Sequence, residues 1–502
     1  MTRTEHPATP PTLPLRSHPL RRGRYALPIL ASVLLSACAV GPQYRAPPPV
    51  DTGSGWIRPD ANTAAPTDLA RWWTTLGDPV LDRLIDKALA ENLDLRQAAA
   101  RIDEARALRD RAAGGRAPVV DAGASVNRRR QSKNGPLPIG EIPGLHATQT
   151  IYDAGFDAAW EIDLFGARRR ALEAADARLQ ASEADAEGVR MRVVAEVART
   201  WFDAVGAGRE LHVQQATVAS LRQTFDLARK RAAAGDVSAA DVDAAEAQWA
   251  AANAALPGIE ARQRAAVLGL AVLLAEPPER ELALLDTEPA VITLQAPPTG
   301  QRADLLRRRP DVLAAERRLA ASTADVGVAT ADLFPKLSIA AGGGFQALAT
   351  GDWFDASSRT FSILPLISWR LFDGGRVRAE IRARDAQSRQ AALAYEQAVL
   401  AALGDAERTL GDYHADMDTL QRREGALEAS RRSHGHAEAR YAAGDISLFE
   451  LLADARLLHD AEMAAARAHA AAAVQLVAVY KALGGGWDSS AAPAPTVGPS
   501  AR

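Results

Sequence analysis

This 502-residue chain contains few of the residue patterns that catalysis or metal binding requires. Cys38 is the only cysteine, so the chain can form neither an internal disulfide nor a cluster of thiolate metal ligands. The spacing of His434 and His436 lacks the supporting carboxylates of a metal site and no HExxH pattern occurs, so we expect solvated histidines on a helix surface. The glycine runs 342–344 and 484–486 lack the GK[ST] ending of a phosphate loop, and there is no nucleophile elbow. The sequence therefore predicts no enzyme, no catalytic residues and no metal site.

The surroundings of Cys38 indicate a different chemistry. An apolar run (25–35) precedes it, and basic residues precede that run: Arg16, Arg21, Arg22 and Arg24. This order is typical of a secretory signal, and Leu35-Ser36-Ala37-Cys38 resembles a bacterial lipobox. The resemblance implies a lipoprotein signal peptide over 1–37, diacylglycerol on the Cys38 sulfur and an N-acyl chain, with no other cofactor. Ala39 in place of aspartate implies delivery to the outer membrane. The alternative is an incidental cysteine beside an ordinary signal peptide.

Composition excludes some classes of partner. The formal net charge is −3 and aromatic residues are few, so nothing favours a nucleic-acid partner. After the signal there is no run of eighteen or more apolar residues, so no transmembrane helix is predicted. A membrane would have to be crossed by strands, unless a lipid anchor alone holds the chain there.

The mature sequence is an internal repeat. Arg-Ala-Ala-Ala-Gly-Asp-Val-Ser at 231–238 matches Arg-Tyr-Ala-Ala-Gly-Asp-Ile-Ser at 440–447, an offset of 209 residues (from 231 to 440). The same offset brings Trp160 onto Trp369, and Pro118 and Pro335 each open a strand-like segment. Duplication is the simplest explanation.

Each half is predicted to fold as helix, strand, loop, strand, very long helix, tight turn and helix. Strong helix formers define the helices at about 79–114, 166–234, 239–275, 303–333, 376–443 and 448–483. A helix of roughly 68 residues is about 100 Å long and needs neighbours along its whole length. The two shorter helices of each half could stack end to end beside it. A soluble coiled coil or spectrin-like rod fits these helices equally well.

Four alternating segments distinguish these possibilities. Apolar and polar residues alternate in the predicted strands, at about 118–130, 154–165, 336–346 and 360–372. About ten residues is the length that a tilted strand needs to cross a bilayer. Four strands cannot close a barrel, and an open edge in lipid leaves backbone groups unpaired, so at least two copies are required and three would give about twelve strands. An ordinary soluble four-stranded sheet is the alternative.

Ordered motifs along nearly the whole chain resemble the TolC-like outer-membrane efflux proteins (outer membrane factors), in the OprM and NodT lipoprotein branch. They are Gly77-Asp78-Pro79-Val80-Leu81-Asp82, Asp163-Leu164-Phe165-Gly166, Arg308-Arg309-Pro310-Asp311-Val312, Ala331-Asp332-Leu333-Phe334-Pro335, Leu371-Phe372-Asp373-Gly374-Gly375-Arg376 and Lys481-Ala482-Leu483-Gly484-Gly485-Gly486-Trp487. Each motif alone is weak, but the ordered set is specific.

The resemblance implies a mainly α fold with a membrane β-barrel. Three chains would share a twelve-stranded barrel, continued by a periplasmic α-helical barrel and a small mixed equatorial region. The implied domains are an acylated N-terminal and equatorial segment (38–76), a first repeat (77–279), an equatorial linker (280–302), a second repeat (303–487) and a disordered tail (488–502). The implied function is passive conduction of drugs or other small solutes, with a periplasmic adaptor and an inner-membrane pump of the resistance-nodulation-division (RND) type as partners.

The repeated turns are candidate periplasmic tips. Glycine can end a helix in the left-handed conformation, and serine can cap the next one. The tip and adaptor-contact candidates are Gly235, Asp236, Ser238, Gly444, Asp445 and Ser447. Asp241 and Glu450 could complete capping boxes.

The resemblance also indicates residues for a gate near the second tip. Arg440 and Tyr441 match the gate-tethering positions of the family, and Phe449 could form an apolar constriction. The usual acid after a Leu-Leu pair is replaced by Ala453, with Asp454 one residue later. Arg440 and Asp454 could instead belong to a solvated helix face. Two other functions stay open at this point, a channel for type I protein secretion and a lipid-anchored helical scaffold without a pore.

Overall fold

The computed structural model describes residues 39–47, 51, 53, 55–57, 69–132, 146–286, 292, 294–295 and 299–488. Cys38 and the signal peptide therefore lie outside the described residues. The chain contains two compact units. The helical unit comprises Pro42–Gly115, Arg170–Ala329 and Gly375–Arg502, and the strand unit comprises Met1–Gly41, Arg116–Arg169 and Thr330–Gly374.

Within the described residues, eight α-helices and four strands follow the repeated order that the sequence predicts. The helices are α1 (Pro79–Glu91), α2 (Leu93–Gly114), α3 (Ala167–Ala233), α4 (Ala239–Leu273), α5 (Arg302–Arg308), α6 (Pro310–Ala331), α7 (Arg376–Ala442) and α8 (Leu448–Ala482). The strands are β1 (Val119–Arg130), β2 (Thr148–Ile162), β3 (Lys336–Ala347) and β4 (Arg359–Ser368). Short 3₁₀ helices occur as well, among them Trp72–Leu76 and Pro278–Asp286.

Two helices that the sequence predicts as continuous are each broken. The predicted helix at about 79–114 is broken after Glu91, where the backbone of Asn92 is not helical (φ −57°, ψ 132°) and its side chain caps the amides of Asp94 and Leu95. The predicted helix at about 303–333 is interrupted at Arg309, which is extended. Pro310 follows it, and a proline disfavours helical geometry in the residue before it.

The two longest helices, α3 and α7, have 67 residues each, so each spans about 100 Å. The helices that follow them in the chain, α4 and α8, have 35 residues each. By length and composition alone α8 could cross a membrane, in contrast to the sequence prediction, with a mean hydropathy of 1.2 in its most apolar window. One such helix is weak evidence, and 44% of that window is buried within the protein. Leu476 and Tyr480 of α8 belong to the main hydrophobic core, so α8 is a core helix.

The main core of the helical unit is built around aromatic residues from distant segments. Trp73 is fully buried, and the Trp72 ring stacks on Tyr480 with centroids 4.6 Å apart. Asp78 accepts hydrogen bonds from the amides of Val80 and Leu81 and, at 2.7 Å, from the indole of Trp201. The Gly-Asp-Pro motif therefore caps α1 and satisfies a buried tryptophan. Parts of the predicted equatorial segments contribute to this core through Trp72 and Ile292.

The Arg-Pro-Asp motif between α5 and α6 is an ionic clamp. The Arg309 guanidinium donates to both carboxylate oxygens of Asp311, at 2.9 and 2.7 Å. It also donates to Asp405 of α7 and to the carbonyl of Ala482 at the end of α8, both at 3.1 Å. Burial alone would raise the pKa of Asp311, but the hydrogen bonds and charge of Arg309 outweigh it and hold that pKa below its ordinary value. The clamp thus joins four helices through one buried arginine.

The strand unit is an antiparallel sheet with the order β1-β2-β3-β4. Ala122 lies opposite Phe156, Phe156 opposite Gly343, and Gly343 opposite Phe361, so these residues share one face of the sheet. We call it the apolar face; it carries Val120, Ala122, Ala124, Val126, Phe156, Ala158, Trp160, Phe361, Ile363, Ile367 and Trp369. Both outer strands are exposed over their whole length, and Phe361 is 88% exposed. A single chain therefore leaves two open edges and an uncovered apolar surface.

The glycines of β3 allow a close approach to β2. A Cβ atom added at Gly344 would lie 2.3 Å from the carbonyl oxygen of Ala154 and 2.6 Å from the Cα of Gly155. The neighbouring Gly343 has ordinary space, with nothing nearer than 3.9 Å. The glycine run therefore accommodates a local backbone contact that a side chain at Gly344 would prevent.

Two equivalent tryptophans, one in each repeat, form the same hydrogen bond to the backbone just before a strand. The indole of Trp160 donates to the carbonyl of Arg116, and the indole of Trp369 donates to the carbonyl of Leu333, both at 3.0 Å. Each acceptor lies two residues before the proline that precedes a strand. Repetition of this bond in the two halves agrees with the duplication predicted from the sequence.

Candidate gate at the helix tips

Both long helices reverse through the same turn. In the first tip (234–238), Asp236 donates its amide to the carbonyl of Arg231 at 2.9 Å, and Gly235 has a φ of +88°. In the second tip (443–447), Asp445 donates to the carbonyl of Arg440 at 2.9 Å, and Gly444 has a φ of +81°. This is the glycine-containing reversal in which a left-handed residue lets later amides satisfy the last helical carbonyls.

A capping box begins each returning helix. The Ser238 hydroxyl accepts from the amide of Asp241, whose carboxylate accepts from the amide of Ser238, and Ser447 and Glu450 repeat this arrangement. Hydrogen bonds from Ser238 lower the pKa of Asp241, and those from Ser447 lower the pKa of Glu450. The predicted capping boxes are therefore present in both tips.

The two hairpins touch through a pair that the sequence analysis did not identify. Arg231, at the end of α3, donates to the hydroxyl of Tyr441, at the end of α7, at 2.9 Å. Its guanidinium also lies 4.9 Å from the centre of the Tyr441 ring, within cation–π range. Tyr441 is thus held by the first hairpin through both its hydroxyl group and its ring.

A small apolar cluster supports this contact. Its buried members are Phe225, Ala228, Ala245, Leu448 and Leu452. The Phe225 ring stacks on Trp249 of α4, with centroids 5.9 Å apart. A groove of about 600 Å³ lies between the tips, and its lining includes Gly235, Ser238, Gly444 and Ser447. The tip candidates from the two repeats therefore meet around one groove.

The other gate candidates have different surroundings. Phe449 is 68% exposed, so its ring is available to a neighbouring surface. Asp454 is held inside the helical unit, where it accepts from the Ser433 hydroxyl at 2.8 Å and lies 3.3 Å from His434 Nδ1. The Arg440 side chain is exposed, and its positive charge adds to the lowering of the Glu450 pKa after the larger effect of Ser447. The structure thus brings Tyr441 and the tips together, and places Asp454 against α7.

One of the histidines differs from the sequence prediction. The His434 side chain is only 17% exposed, because it lies against Asp454. It is therefore a partly buried partner of an acid rather than a solvated residue. Among the described residues there is no group of three or more metal-ligating side chains of the histidine, cysteine or acidic type.

The fold and these repeats define a class of protein. The sequence matches the outer membrane efflux protein family over residues 84–276 and 302–485, one match in each half. The chain belongs to this family, whose members are channel proteins. It is an outer-membrane efflux channel with the TolC-like fold, in which a helical barrel continues a β-barrel, and the predicted fold class is confirmed.

Individual relatives are similar over nearly their whole length. The outer membrane protein OprJ of Pseudomonas aeruginosa is 32% identical over 467 residues, which is 92% of this chain and 95% of that protein. The pyoverdine export outer membrane protein OpmQ of the same species is 30% identical over 467 residues, 92% of this chain and 96% of that protein. The solved structure of the outer-membrane channel OprN is 38% identical and has a TM-score of 0.80, covering 90% of this chain and all of that one.

Proposed function

We propose that three copies of this chain form one continuous exit duct of a tripartite efflux system. The observation that carries the proposal is the open four-stranded sheet, which exposes both edges and an apolar face. Unpaired backbone groups are costly in lipid, so the edges must pair with other copies. Three copies supply twelve strands, and even strand numbers from eight upward close bacterial barrels. The α3 and α7 helices, about 100 Å long, would then form the periplasmic tunnel.

The partners we propose are a periplasmic adaptor at the tips and an inner-membrane RND-type pump. Neither requires chemistry from this chain, so the duct is not an enzyme and conducts solutes down a path that the pump energises. The tip groove beside Gly235 and Gly444 offers the adaptor a recess made by both repeats. Contact of an adaptor there would compete with the Arg231–Tyr441 contact and the apolar cluster, which together hold the hairpins against each other.

The lipid at Cys38 is part of the same proposal. The segment after it is attached to the strand unit, since the amide of Val40 donates to the carbonyl of Phe165 at 3.2 Å. Diacylglycerol and an N-acyl chain would therefore enter the membrane close to the end of β2. Several acyl chains hold a protein at a membrane far more firmly than one.

The first experiment measures assembly and conduction together. The full-length protein, purified in detergent, is analysed by native mass spectrometry and on gels with and without boiling, and is then added to planar bilayers. We expect a three-chain species that dissociates on boiling and carries ion current. A monomer that needs no detergent once its acyl chains are removed would contradict the duct.

A second experiment separates the barrel from the lipid anchor. Cys38→Ser removes the site of acylation and leaves the strands unchanged. A barrel protein should still fractionate with the outer membrane after this substitution. Release of the variant into the periplasm would indicate an anchored scaffold without a pore.

A further inference from the structure

Three arginines end the apolar face of the sheet at its loop side. Side chains alternate along a strand, so Arg128 and Arg130 of β1 lie on the same face as Val126. Arg359 of β4 lies on the same face as Phe361, directly opposite Phe345 of β3. The strand residues are exposed at all three positions, and within the described part of the chain none of these guanidinium groups forms an ion pair.

The intervening Arg129 provides an internal comparison. It lies in the same triplet and is equally exposed, but alternation places it on the opposite, polar face with Asn127. Basic residues on a lipid-facing surface normally occur only where they can reach the interface. Arg128 and Arg130 are therefore expected to extend from the apolar face to the lipid head groups, whereas Arg129 extends from the opposite face.

The distance along the strands fits one membrane thickness. Arg359 and Trp369 lie ten residues apart (359 to 369) on β4 and its continuation. Arg128 lies opposite Thr150, which is ten residues (150 to 160) from Trp160 on β2. Ten residues at about 3.4 Å each, tilted by about 40°, rise roughly 26 Å, close to the apolar band of an outer-membrane barrel. Each pair of strands, β1–β2 and β3–β4, thus has a tryptophan at one end of this band and an arginine at the other end, where the loop joins the strands.

An aromatic group lies beside Arg359 and reaches Tyr152, two residues from the position opposite Arg128. Phe345, opposite Arg359, is 5.5 Å from the ring of Phe354, which stacks on Trp353 at 5.2 Å. Trp353 in turn lies 5.3 Å from Tyr152. Aromatic rings of this kind form girdles where barrels meet the membrane–water interface. The arginines therefore lie at an interface, at the loop side of the sheet.

We propose that Arg128 and Arg130 of one copy and Arg359 of the next form a binding site for the phosphate groups of the outer leaflet's lipopolysaccharide, because β1 and β4 are the opposite edges of one sheet and closure of the proposed barrel places β4 of one copy beside β1 of the next. Guanidinium groups bind phosphate in bidentate fashion, and the adjoining apolar face would contact the acyl chains of the same molecule. The outer leaflet of a Gram-negative outer membrane presents these phosphorylated glycolipids at the level of the loop-side girdle. The inference rests on the proposed membrane position of the sheet, and it assigns the arginines to lipid binding rather than to conduction.

Native mass spectrometry of the full-length assembly, titrated with diphosphoryl lipid A, tests the site. About fivefold in affinity is expected for each arginine near an anionic surface, so R128Q/R130Q/R359Q together should weaken binding roughly a hundredfold. Arg129→Gln is the matched control and should bind as the wild type does. Lipid A without its phosphates should bind the wild type as weakly as intact lipid A binds the triple variant. Millimolar inorganic phosphate should not displace intact lipid A from the wild type.

The proposal would be overturned by unchanged binding to the triple variant, by an equal loss in Arg129→Gln, or by equal binding of the phosphate-free lipid. Displacement by inorganic phosphate would also contradict it, because it would indicate a site for the free anion. The same spectra report the number of chains. Absence of the three-chain species contradicts the proposed duct, whereas a three-chain assembly that binds lipid A equally well with and without its phosphates contradicts only the lipid site.

Discussion

Tyr441→Phe should open the channel. The substitution removes the hydroxyl that accepts from Arg231 at 2.9 Å and keeps the ring that lies 4.9 Å from the guanidinium. A hydrogen bond to a charged group is worth about 1.5–3 kcal/mol, and partial exposure of both residues reduces this to about 1 kcal/mol. If three chains open together, the total is about 3 kcal/mol, or roughly a hundredfold in the ratio of open to closed channels.

The assay is single-channel recording in planar bilayers, with open probability as the readout. Arg231→Gln should increase it about as much as Tyr441→Phe, and the double variant should add little, since both remove one interaction. Arg440→Gln is the comparison: the family resemblance assigns it to the gate, whereas the structure connects the hairpins through Arg231. Unchanged opening in Tyr441→Phe, or strictly additive effects in the double variant, would refute the reasoning.

Three further outcomes test the fold. Gly344→Ala should lower the boiling resistance of the assembly because its Cβ would meet backbone atoms at 2.3 Å, whereas Gly343→Ala should not; equal behaviour would contradict the close approach. Asp311→Asn should lower the free energy of unfolding by about 1 kcal/mol at neutral pH by weakening its bonds to Arg309. Because the folded pKa of Asp311 is lowered, this stabilisation is present above its ordinary pKa and lost as pH falls through the lowered one, so the thermal unfolding of variant and wild type should converge once the pH is below that lowered pKa. Asp78→Ala removes two caps and leaves a buried indole unpaired, so a loss of about 2–4 kcal/mol is expected by denaturant titration, and a loss below 1 kcal/mol would contradict this role.

The hairpin tips were predictable because their signals are local. A glycine that ends a helix and a serine with an acid three residues later lie within one short segment around Gly235 and Ser238. The Arg231–Tyr441 contact was not predictable in this way, since it joins residues 210 positions apart. Arg231 and Arg440 are equivalent in the repeat, and the family resemblance predicts a gate role for Arg440. In the structure it is Arg231 that makes the contact between the hairpins.

The broken helices show a different limit. Helix-forming residues continue on both sides of Asn92, so composition alone favours one helix through it. The break depends on the Asn92 side chain, which caps two amides and also donates to the carbonyl of Leu273 in α4 at 2.8 Å. That partner is distant in sequence. Pro310, in contrast, is a residue whose helix-breaking effect can be read from the sequence. The Ala-rich pattern on both sides of it nevertheless led to the prediction of one continuous helix.

The faces of the strands followed from alternation, but the reason for the β3 glycines did not. Gly344 belongs to the glycine run 342–344, which in the sequence indicates only a less regular strand. Its role depends on how closely β2 approaches, which is a property of the paired backbones. For the same reason, the confinement of Asp454 by Ser433 could not be read from the sequence of α8 alone.

The two reversals at the tips have a consequence for how the channel moves. In each turn the last helical carbonyls are satisfied by amides of the same hairpin, and the returning helix is capped by its own serine. Separation of the hairpins therefore leaves no main-chain donor or acceptor unpaired and requires no unwinding of either helix. Only side-chain contacts such as those of Tyr441 and Phe225 must be exchanged for water. Each hairpin can thus rotate as a rigid body. Repeated opening and closing would not require local unfolding of the tips.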